Sequence, residues 1–285
     1  MTRQPLVARR AEDLLGAAVV ATDPVAGGDI ATATRLRLNN GTTALMKTLP
    51  HAPPDFFESE AHGLRWLAEA GGVPVPEVLA VDHECLILSW VEPGKSTNEA
   101  ATGFGRALAA THRAGAPSYG SDRDGYIGKL PLPNKPTETW AEFYATRRVL
   151  PYLRLARDRG ALDVADAGAV EAVVGRLSDL VPEEPPARLH GDLWNGNVLW
   201  GVDGRAHVID PAAHGGHRET DLAMLALFGL PNLPRVLDAY AEAAPLADGW
   251  QDRVGLHQLF PLLVHACLFG GGYGSRAAHA ARRCT

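Results

Sequence analysis

The residues best suited to chemistry lie in one short stretch, HGDLWNGN, which runs from His190 to Asn197. Asp192 and Asn197 stand five positions apart, which is the spacing of aspartate and asparagine in the catalytic loop of kinases. A carboxylate can orient an acceptor hydroxyl and take its proton, and an amide oxygen can bind the Mg²⁺ that holds nucleotide phosphates. An exposed aspartate has a pKa of about 3.9, so we expect Asp192 to be ionised at pH 7.

A second oxygen ligand is expected thirteen residues after Asn197. The segment GRAHVID alternates like a strand and ends at Asp210, where a hard carboxylate suits a magnesium ion. Asp192, Asn197 and Asp210 are each common at turns or strand ends when taken singly. Their joint spacing next to apolar strands favours a phosphotransfer site over an ordinary turn.

One of the four lysines, Lys47, lies inside the apolar strand TALMKTL. An unpaired ammonium group there would be costly, so a carboxylate partner is expected on the following helix, either Glu58 or Glu60. We prefer Glu60, because it shares one helical face with the apolar residues Leu64 and Leu67. Lys47 would then hold nucleotide phosphates; a solvated lysine on an edge strand is the alternative.

Two further stretches are expected to contact a nucleotide through their backbones. In VAGGDIAT, Gly27 and Gly28 stand about twenty residues before Lys47, where their N–H groups could approach the phosphates. In LILSWVEPG, the backbone near Ser89 and Val91 could hydrogen-bond an adenine edge. The first pattern lacks the full G-x-G-x-x-G, and the second is inferred from position only.

The elements that must position these residues change type near residue 92. Up to that point we expect a helix over 4–18, an antiparallel sheet with a type I′ turn at Asn40-Gly41, and one helix over 55–70 that Asp55 caps. Beyond it the pattern is mostly helical. The sequence therefore predicts an α+β fold with a small β-rich N-terminal lobe (1–92) and a larger, mainly helical C-terminal lobe (93–285).

Composition narrows the classes of partner and compartment. The 285 residues carry a net charge of −6, without the basic excess of a nucleic-acid binder, and the apolar stretches are too short for a membrane span. Three widely spaced cysteines argue against a disulfide framework or a zinc site, and the N-terminus lacks a signal-peptide pattern. We expect a cytoplasmic protein that binds neither nucleic acid nor membrane; its oligomeric state is left open.

With these residues in place, the sequence resembles the protein-kinase-like superfamily of aminoglycoside and choline phosphotransferases. Within it, LHGDLWNGNVLW is most similar to the fructosamine kinase (ketosamine-3-kinase) family, whose loop is H-G-D-L-W-x-G-N. The discriminating letter is Trp194. The segments GGDI, RLRLNNG, FFESEAHGL and GHRETDLAMLALFG follow in the family's order, so the resemblance covers nearly the whole chain.

The resemblance implies a role for each candidate. Asp192 would be the catalytic base, Asn197 and Asp210 the Mg²⁺ ligands, and Lys47 the phosphate-binding residue with Glu60 as its partner. ATP would be the phosphoryl donor. The acceptor would be the third-carbon hydroxyl of a ketosamine, on a free amine or a glycated protein, and the unstable product would release the amine in a deglycation step.

The resemblance also implies structural roles, and some assignments stay open. Asp221 and His190 would brace the catalytic loop. Trp194 is either a wall for the sugar or simply a packing residue. Only ten residues separate Asp210 from Asp221, which leaves no room for a long activation loop and favours a small-molecule kinase. The alternatives are the same fold acting on an aminoglycoside, choline or homoserine, and a nucleotide-binding pseudokinase.

Overall fold

The computed structural model describes residues 3–26 and 30–284, and its N-terminal part is built on one five-stranded antiparallel sheet. The elements are α1 (Arg3–Leu15), β1 (Val19–Val25), β2 (Thr32–Leu38), β3 (Thr43–Thr48), α2 (Phe56–Glu69), β4 (Val78–Asp82) and β5 (Cys85–Ser89). The strand order is β1-β2-β3-β5-β4. β3, which carries Lys47, therefore lies in the centre of the sheet, and the alternative of an edge-strand lysine is wrong.

The alternation in β2 sets the two faces of the sheet. Leu36 and Leu38 are buried in one apolar cluster with Ala11 of α1, whereas the Arg35 guanidinium on the opposite face lies 4.7 Å from the ring centre of Trp90. The β2–β3 turn differs from the prediction. A type I′ turn needs two positive φ angles, but within the described residues of this connection only Gly41 has one, at +85°.

Helix α2 covers the other face of the sheet. Its buried residues Phe57 and Leu64 pack with Leu86 and Leu88 of β5, so the sheet is enclosed between α1 and α2. The expected cap is wrong in detail, because Asp55 adopts a left-handed backbone (φ +56°) and its side chain makes no capping hydrogen bond. The packing nevertheless places α2 against β4 and β5, with Leu45 of β3 in the same apolar cluster.

The C-terminal part is mainly helical. Its helices are α3 (Asn98–Arg113), α4 (Trp140–Phe143), α5 (Leu150–Asp158), α6 (Val164–Val174), α7 (Leu177–Leu180), α8 (Glu219–Phe228), α9 (Leu233–Ala243), α10 (Trp250–His257), α11 (Leu259–Phe269) and α12 (Tyr273–Arg282), with a π-helical segment (Tyr144–Val149) between α4 and α5. Its strands are β6 (Gly125–Ile127), β7 (Leu130–Leu132), β8 (Ala187–Leu189), β9 (Val198–Trp200), β10 (Ala206–Val208) and β11 (His214–Gly216). The expected α+β, two-lobed architecture is confirmed.

Three short antiparallel pairs, β6 with β7, β9 with β10 and β8 with β11, interrupt the helices. The last two carry the catalytic-loop stretch. Leu193, Val198 and Val208 from this region are buried with Leu222 of α8 and Tyr240 of α9 in one apolar cluster. The loop that follows β8 is thus supported by a packed helical layer beneath it.

The lobes are joined just after β5. The Gly94 N–H donates to the carbonyl of Trp200 (2.6 Å), and the Val202 N–H donates to the carbonyl of Glu92 (3.0 Å). These bonds tie the connecting segment to the β9–β10 hairpin. Throughout 3–26 and 30–284, no helix combines the length and the apolar character needed to cross a membrane.

Candidate active site

A tight turn at Gly191 carries the catalytic-loop residues. β8 ends at the buried Leu189, and the chain turns through His190 and Gly191 before it reaches Asp192. Gly191 has a φ of +82°, and a methyl group here would lie 2.2 Å from the carbonyl oxygen of Ala212. Since only glycine meets both conditions, this residue sets the direction in which the Asp192 side chain leaves the turn.

Asp221, in the first turn of α8, hydrogen-bonds to the backbone of the His190–Gly191 turn. Its buried carboxylate accepts hydrogen bonds from the N–H groups of His190 (2.8 Å) and Gly191 (2.9 Å) and from Nε2 of His112 (3.1 Å). Burial alone would raise the pKa of Asp221, but the donors, His112 first among them, outweigh it and the pKa is lowered. An ionised carboxylate therefore fixes the turn.

His112 was missed by the sequence analysis. It lies on α3, and its Nδ1 contacts the hydroxyl of Tyr240 at 2.8 Å, so a buried chain runs from Tyr240 through His112 to Asp221. No local motif marks this histidine. Its position becomes informative only once α3 and α9 pack together.

His190 connects the turn to the strand that leads to Asp210. Its Nε2 donates to the carbonyl of Ile209 (2.9 Å), and its Nδ1 accepts from the N–H of Asp192 (3.2 Å). Burial lowers the pKa of His190, so the ring is neutral. Both ring nitrogens hydrogen-bond to backbone groups, so His190 positions the loop and does not take part in the reaction itself.

Asn197 lies directly against Asp192. Its Nδ2 donates to the backbone carbonyl (2.8 Å) and to Oδ2 (3.1 Å) of Asp192, which leaves the amide oxygen available as a ligand. The expectation that Asp192 behaves as an ordinary exposed aspartate is wrong. The side chain is partly buried, and burial together with the charge of Asp210 raises its pKa to about 7.

Lys47 joins two carboxylates from opposite lobes. Its Nζ lies 2.6 Å and 2.7 Å from the two carboxylate oxygens of Glu60 and 2.8 Å from Oδ1 of Asp210. Glu60, and not Glu58, is therefore the partner of Lys47. Asp210 itself has a left-handed backbone, with φ +55°, a strained conformation for a non-glycine residue.

Acidic side chains outnumber basic ones around Lys47. Burial would lower the pKa of Lys47, but Glu60 and Asp210 more than offset it and the pKa is raised. Burial raises the pKa of Glu60 to about 7, even beside the ammonium group. Two carboxylates contact Lys47, and Asp192 interacts with one of them, Asp210, so the group carries more acidic than basic side chains and favours a bound cation.

Trp194 lies at the edge of the catalytic loop, partly exposed. Its ring meets Phe228 of α8 edge-on, with the centres 5.8 Å apart. A methyl group at Gly196 would lie 2.4 Å from the indole ring, so the ring rests on the backbone of that glycine. Gly196 and Phe228 were missed by the sequence analysis.

The predicted backbone contacts to a nucleotide fare differently. Gly27 and Gly28 lie outside the described residues. Ser89 is tied into the sheet, since its N–H donates to the carbonyl of Glu77 (2.8 Å) and its hydroxyl accepts from the N–H of Glu77 (2.9 Å). Val91 follows the strand, and in the described part of the chain nothing hydrogen-bonds to its backbone. The adenine contact stays a prediction, and of these two residues only Val91 has both backbone groups without a partner in the described residues.

A second group of ligand-type side chains, His217, Glu219 and His257, lies close together outside this site. His217 is buried, and its ring nitrogen lies within 4.8 Å of ligand atoms of Glu219 and His257. However, the Glu219 carboxylate accepts two hydrogen bonds from Arg253, at 2.9 Å and 2.6 Å. Because that charge is already neutralised, we assign the cluster a structural role.

Comparisons with known proteins agree with this geometry. The sequence model of the fructosamine kinase family matches residues 4–285. The chain is 39% identical over 252 residues to a probable ketoamine kinase of Thermus thermophilus, covering 88% of each chain. It is 35% identical over 257 residues to a probable ketoamine kinase of Enterococcus faecium, covering 89% of this chain and 91% of the relative.

Solved structures give the same result. A crystal structure from Thermobifida fusca, described as that of a fructosamine-3-kinase, superposes with a TM-score of 0.94 at 53% identity over 98% of both chains. The spectinomycin phosphotransferase fold is shared at 13% identity, with a TM-score of 0.63 over 98% of this chain and 92% of the other. From the kinase-type loop, the lysine–glutamate pair and a match over nearly its whole length, the chain belongs to the fructosamine kinase family of phosphotransferases.

Proposed function

We propose that this protein transfers the γ-phosphoryl group of ATP to the third-carbon hydroxyl of a ketosamine. The observation that carries the proposal is the ion pair of Lys47 with both Glu60 and Asp210, formed beside the Asp192–Asn197 pair. This arrangement brings a phosphate-binding cation and a proton acceptor to one place. The ketoamine kinases among the relatives supply the class of acceptor.

On the donor side, Lys47 binds the phosphates of ATP. Its ammonium group is held in position by Glu60, so little side-chain entropy is lost when a nucleotide arrives. On the same side we propose that the N–H groups of Gly27 and Gly28 bind the phosphates, as the sequence predicts, and that the backbone at Val91, just after Ser89, contacts the adenine edge.

Asn197 and Asp210 are the residues that would hold Mg²⁺. They fit that ion because both offer oxygen donors: the Asn197 amide turns its nitrogen to Asp192 and keeps its oxygen free, and only Oδ1 of Asp210 is taken by Lys47. Bound there, the ion supplies charge neutralisation for the phosphates. The surplus of carboxylates around Lys47 supports the same assignment.

On the acceptor side, Asp192 orients the sugar hydroxyl and accepts its proton. Its pKa of about 7 in the free protein makes it a stronger base than an ordinary aspartate. Gly191 and Asn197 fix the direction of its carboxylate. Trp194 forms the wall along which the apolar face of the sugar lies.

The product explains a biological use for the reaction. A ketosamine phosphorylated at the third carbon is unstable and releases its amine, so the protein would remove sugars from glycated amines or glycated proteins. All three cysteines are free thiols, which supports a reducing cytoplasm as the place of action.

The test is ADP release with Mg-ATP against a panel of ribulosamines, fructosamines, aminoglycosides, choline and homoserine. Release with ketosamines alone supports the proposal, and Asp192→Asn is the matched inactive control. Release with another alcohol alone would move the assignment to that acceptor. ATP binding with no release on any acceptor would indicate a pseudokinase, and absence of ATP binding would exclude every kinase assignment.

A further inference from the structure

The β6–β7 hairpin has no part in the site described so far. It belongs to the C-terminal lobe, since Ile127, Leu130 and Leu132 are buried in the same apolar cluster as the core residues of α11. At its base, the Asp124 carboxylate accepts a hydrogen bond from the N–H of Asn134 at 2.7 Å. The hairpin is therefore firmly attached to one lobe.

From this attachment the hairpin reaches across to the N-terminal lobe. The hydroxyl of Tyr126 donates to the carbonyl of Pro54 at 2.9 Å. The Tyr126 ring lies 5.2 Å from that of Phe56, the first residue of α2. Helix α2 carries Glu60, so the hairpin contacts the element that positions Lys47.

The tip of the hairpin lies between Ile30 of the N-terminal lobe and Leu268 of the C-terminal lobe. Gly128 has a φ of +60°, and a methyl group here would lie 3.4 Å from Cδ1 of Ile30 and 3.0 Å from Cδ1 of Leu268. Ile30 comes two residues after the predicted phosphate-binding glycines. Leu268 lies in the last turn of α11. The tip thus lies against α11 and against the segment that follows the predicted phosphate-binding glycines.

α11 is connected in turn to the acceptor wall. His265, one turn before Leu268, packs its ring 4.7 Å from that of Phe228, and Phe228 meets Trp194 at 5.8 Å. A continuous line of contacts therefore runs from Trp194 through α11 and Gly128 to Ile30. These are contacts between packed groups, so the line offers a physical route between the two ends.

We propose that the β6–β7 hairpin is a strap that couples the two substrates: a ketosamine bound at Trp194 raises the affinity for ATP, and ATP raises the affinity for the ketosamine. The inference rests on the proposed function, since it takes the acceptor to be a ketosamine. Coupling of this kind is reciprocal, and each ligand acts by favouring the same placement of the tip. Gly128 and Tyr126 are positioning residues, without contact to either substrate.

The experiment measures one ratio by calorimetry. The Kd of a non-hydrolysable ATP analogue with Mg²⁺ is determined with and without a saturating fructosamine. The ratio is the Kd without fructosamine divided by the Kd with it. For the wild-type protein we expect a ratio of about 5 or more, which is the lower range of coupling between sites. In Gly128→Ala the added methyl meets Leu268 and Ile30, and we expect the ratio to fall below about 2.

A second variant and a control separate coupling from folding. Tyr126→Phe removes only the hydroxyl that bonds to Pro54, and should lower the ratio without a change of backbone. Gly16→Ala is the matched control, because Gly16 has a φ of +64° and no atom within 4 Å of a methyl group placed there. It carries the same backbone strain but should keep the wild-type ratio.

The outcomes distinguish the two proposals. If none of the ketosamines causes the wild-type protein to release ADP, the proposed function fails and the strap fails with it. If ketosamines are phosphorylated but the wild-type ratio is 1, only the strap is overturned. The strap is also overturned if Gly128→Ala and Tyr126→Phe both keep the wild-type ratio. Reduced stability in these variants would then show that the hairpin has a purely structural role.

Discussion

The side-chain amide of Asn197 grips Asp192 at two points, with hydrogen bonds of 2.8 Å to its backbone carbonyl and 3.1 Å to its Oδ2. One carboxylate oxygen is thereby held against the loop. The other remains to accept a proton from a substrate. A rigid carboxylate with a raised pKa is what proton transfer in the active site requires.

Replacing this carboxylate tests its role directly. We expect Asp192→Asn to lower turnover by about 10²–10⁴-fold, because the amide cannot accept the hydroxyl proton. The affinity for an ATP analogue should stay within a few-fold, since Lys47 and Asp210 are untouched. Steady-state ADP release and calorimetry measure the two quantities. Asp203→Asn, on the partly exposed β9–β10 hairpin, is the control, and wild-type turnover in Asp192→Asn would remove Asp192 from its proposed role.

The ion pair of Lys47 with Glu60 predicts that a second substitution, at Glu60, will restore stability but not activity to a variant that lacks Lys47. Lys47→Met leaves Glu60 buried without a partner, and we expect a loss of roughly 3–5 kcal/mol of unfolding free energy at pH 8. Adding Glu60→Gln removes the stranded charge and should recover part of this loss. Urea unfolding measures the stability, and ADP release should be lost in both variants.

The pH dependence of that loss supplies a check. Because the pKa of Glu60 is about 7 even beside Lys47, the carboxyl of Lys47→Met takes up a proton readily and the destabilisation should be smaller at pH 6 than at pH 8. In the double variant this difference should shrink. An equal loss at both pH values would mean that Glu60 is not the group stranded by the substitution.

The pair of Glu219 and Arg253 predicts a specific contribution to acid stability. Contacts with His257 and Arg253 overcome the effect of burial and lower the pKa of Glu219 to about 2, below its unfolded value of about 4.3. The stabilisation is therefore complete above about pH 4.5 and is lost as the pH falls towards 2. It amounts to roughly 3 kcal/mol, at about 1.36 kcal/mol for each pH unit.

Glu219→Gln should abolish this part of the pH dependence. Its unfolding free energy, measured by urea titration, should lie below that of the wild type at pH 7, with the gap closing between pH 4.5 and pH 2. Glu242→Gln is the control, because Glu242 forms an exposed pair with Arg106 and should change little. A gap that is the same at every pH would contradict the assignment.

Local sequence patterns correctly predicted the site residues whose position depends on a single helix or loop. The helical period of 55–70 selected Glu60 over Glu58, because only Glu60 shares the face of Leu64 and Leu67, and that face packs on the sheet. The loop spacing likewise brought Asp192 and Asn197 together. In both cases the side chains are separated by a turn or by one packed layer.

Other features depend on contacts between distant segments. The raised pKa of Asp192 arises from burial and from Asp210, and the bond from His112 to Asp221 spans 109 residues. No residue near Gly128 signals that its neighbours are Ile30 and Leu268. Such contacts follow from how the lobes pack, which alternation and helical periodicity do not specify.

The contact of Trp194 with Gly196 allows the sugar wall to be tested without removing the ring. In Gly196→Ala the new methyl would lie 2.4 Å from the indole, so the ring must move while Asp192 and Lys47 keep their contacts. If Trp194 lines the ketosamine site, KM for the ketosamine should rise about 2–10-fold, corresponding to about 0.5–1.5 kcal/mol of lost ring contact. KM for ATP should stay unchanged.

Trp194→Phe completes the comparison, because it keeps an aromatic face and should retain more of the ketosamine affinity than Trp194→Ala. Steady-state kinetics with each substrate varied in turn separate the two KM values, and urea unfolding reports packing. A ring that only packs against Phe228 would give a different pattern: Gly196→Ala would lower stability and leave both KM values as they are. The split between the two KM values therefore decides whether Trp194 faces the sugar.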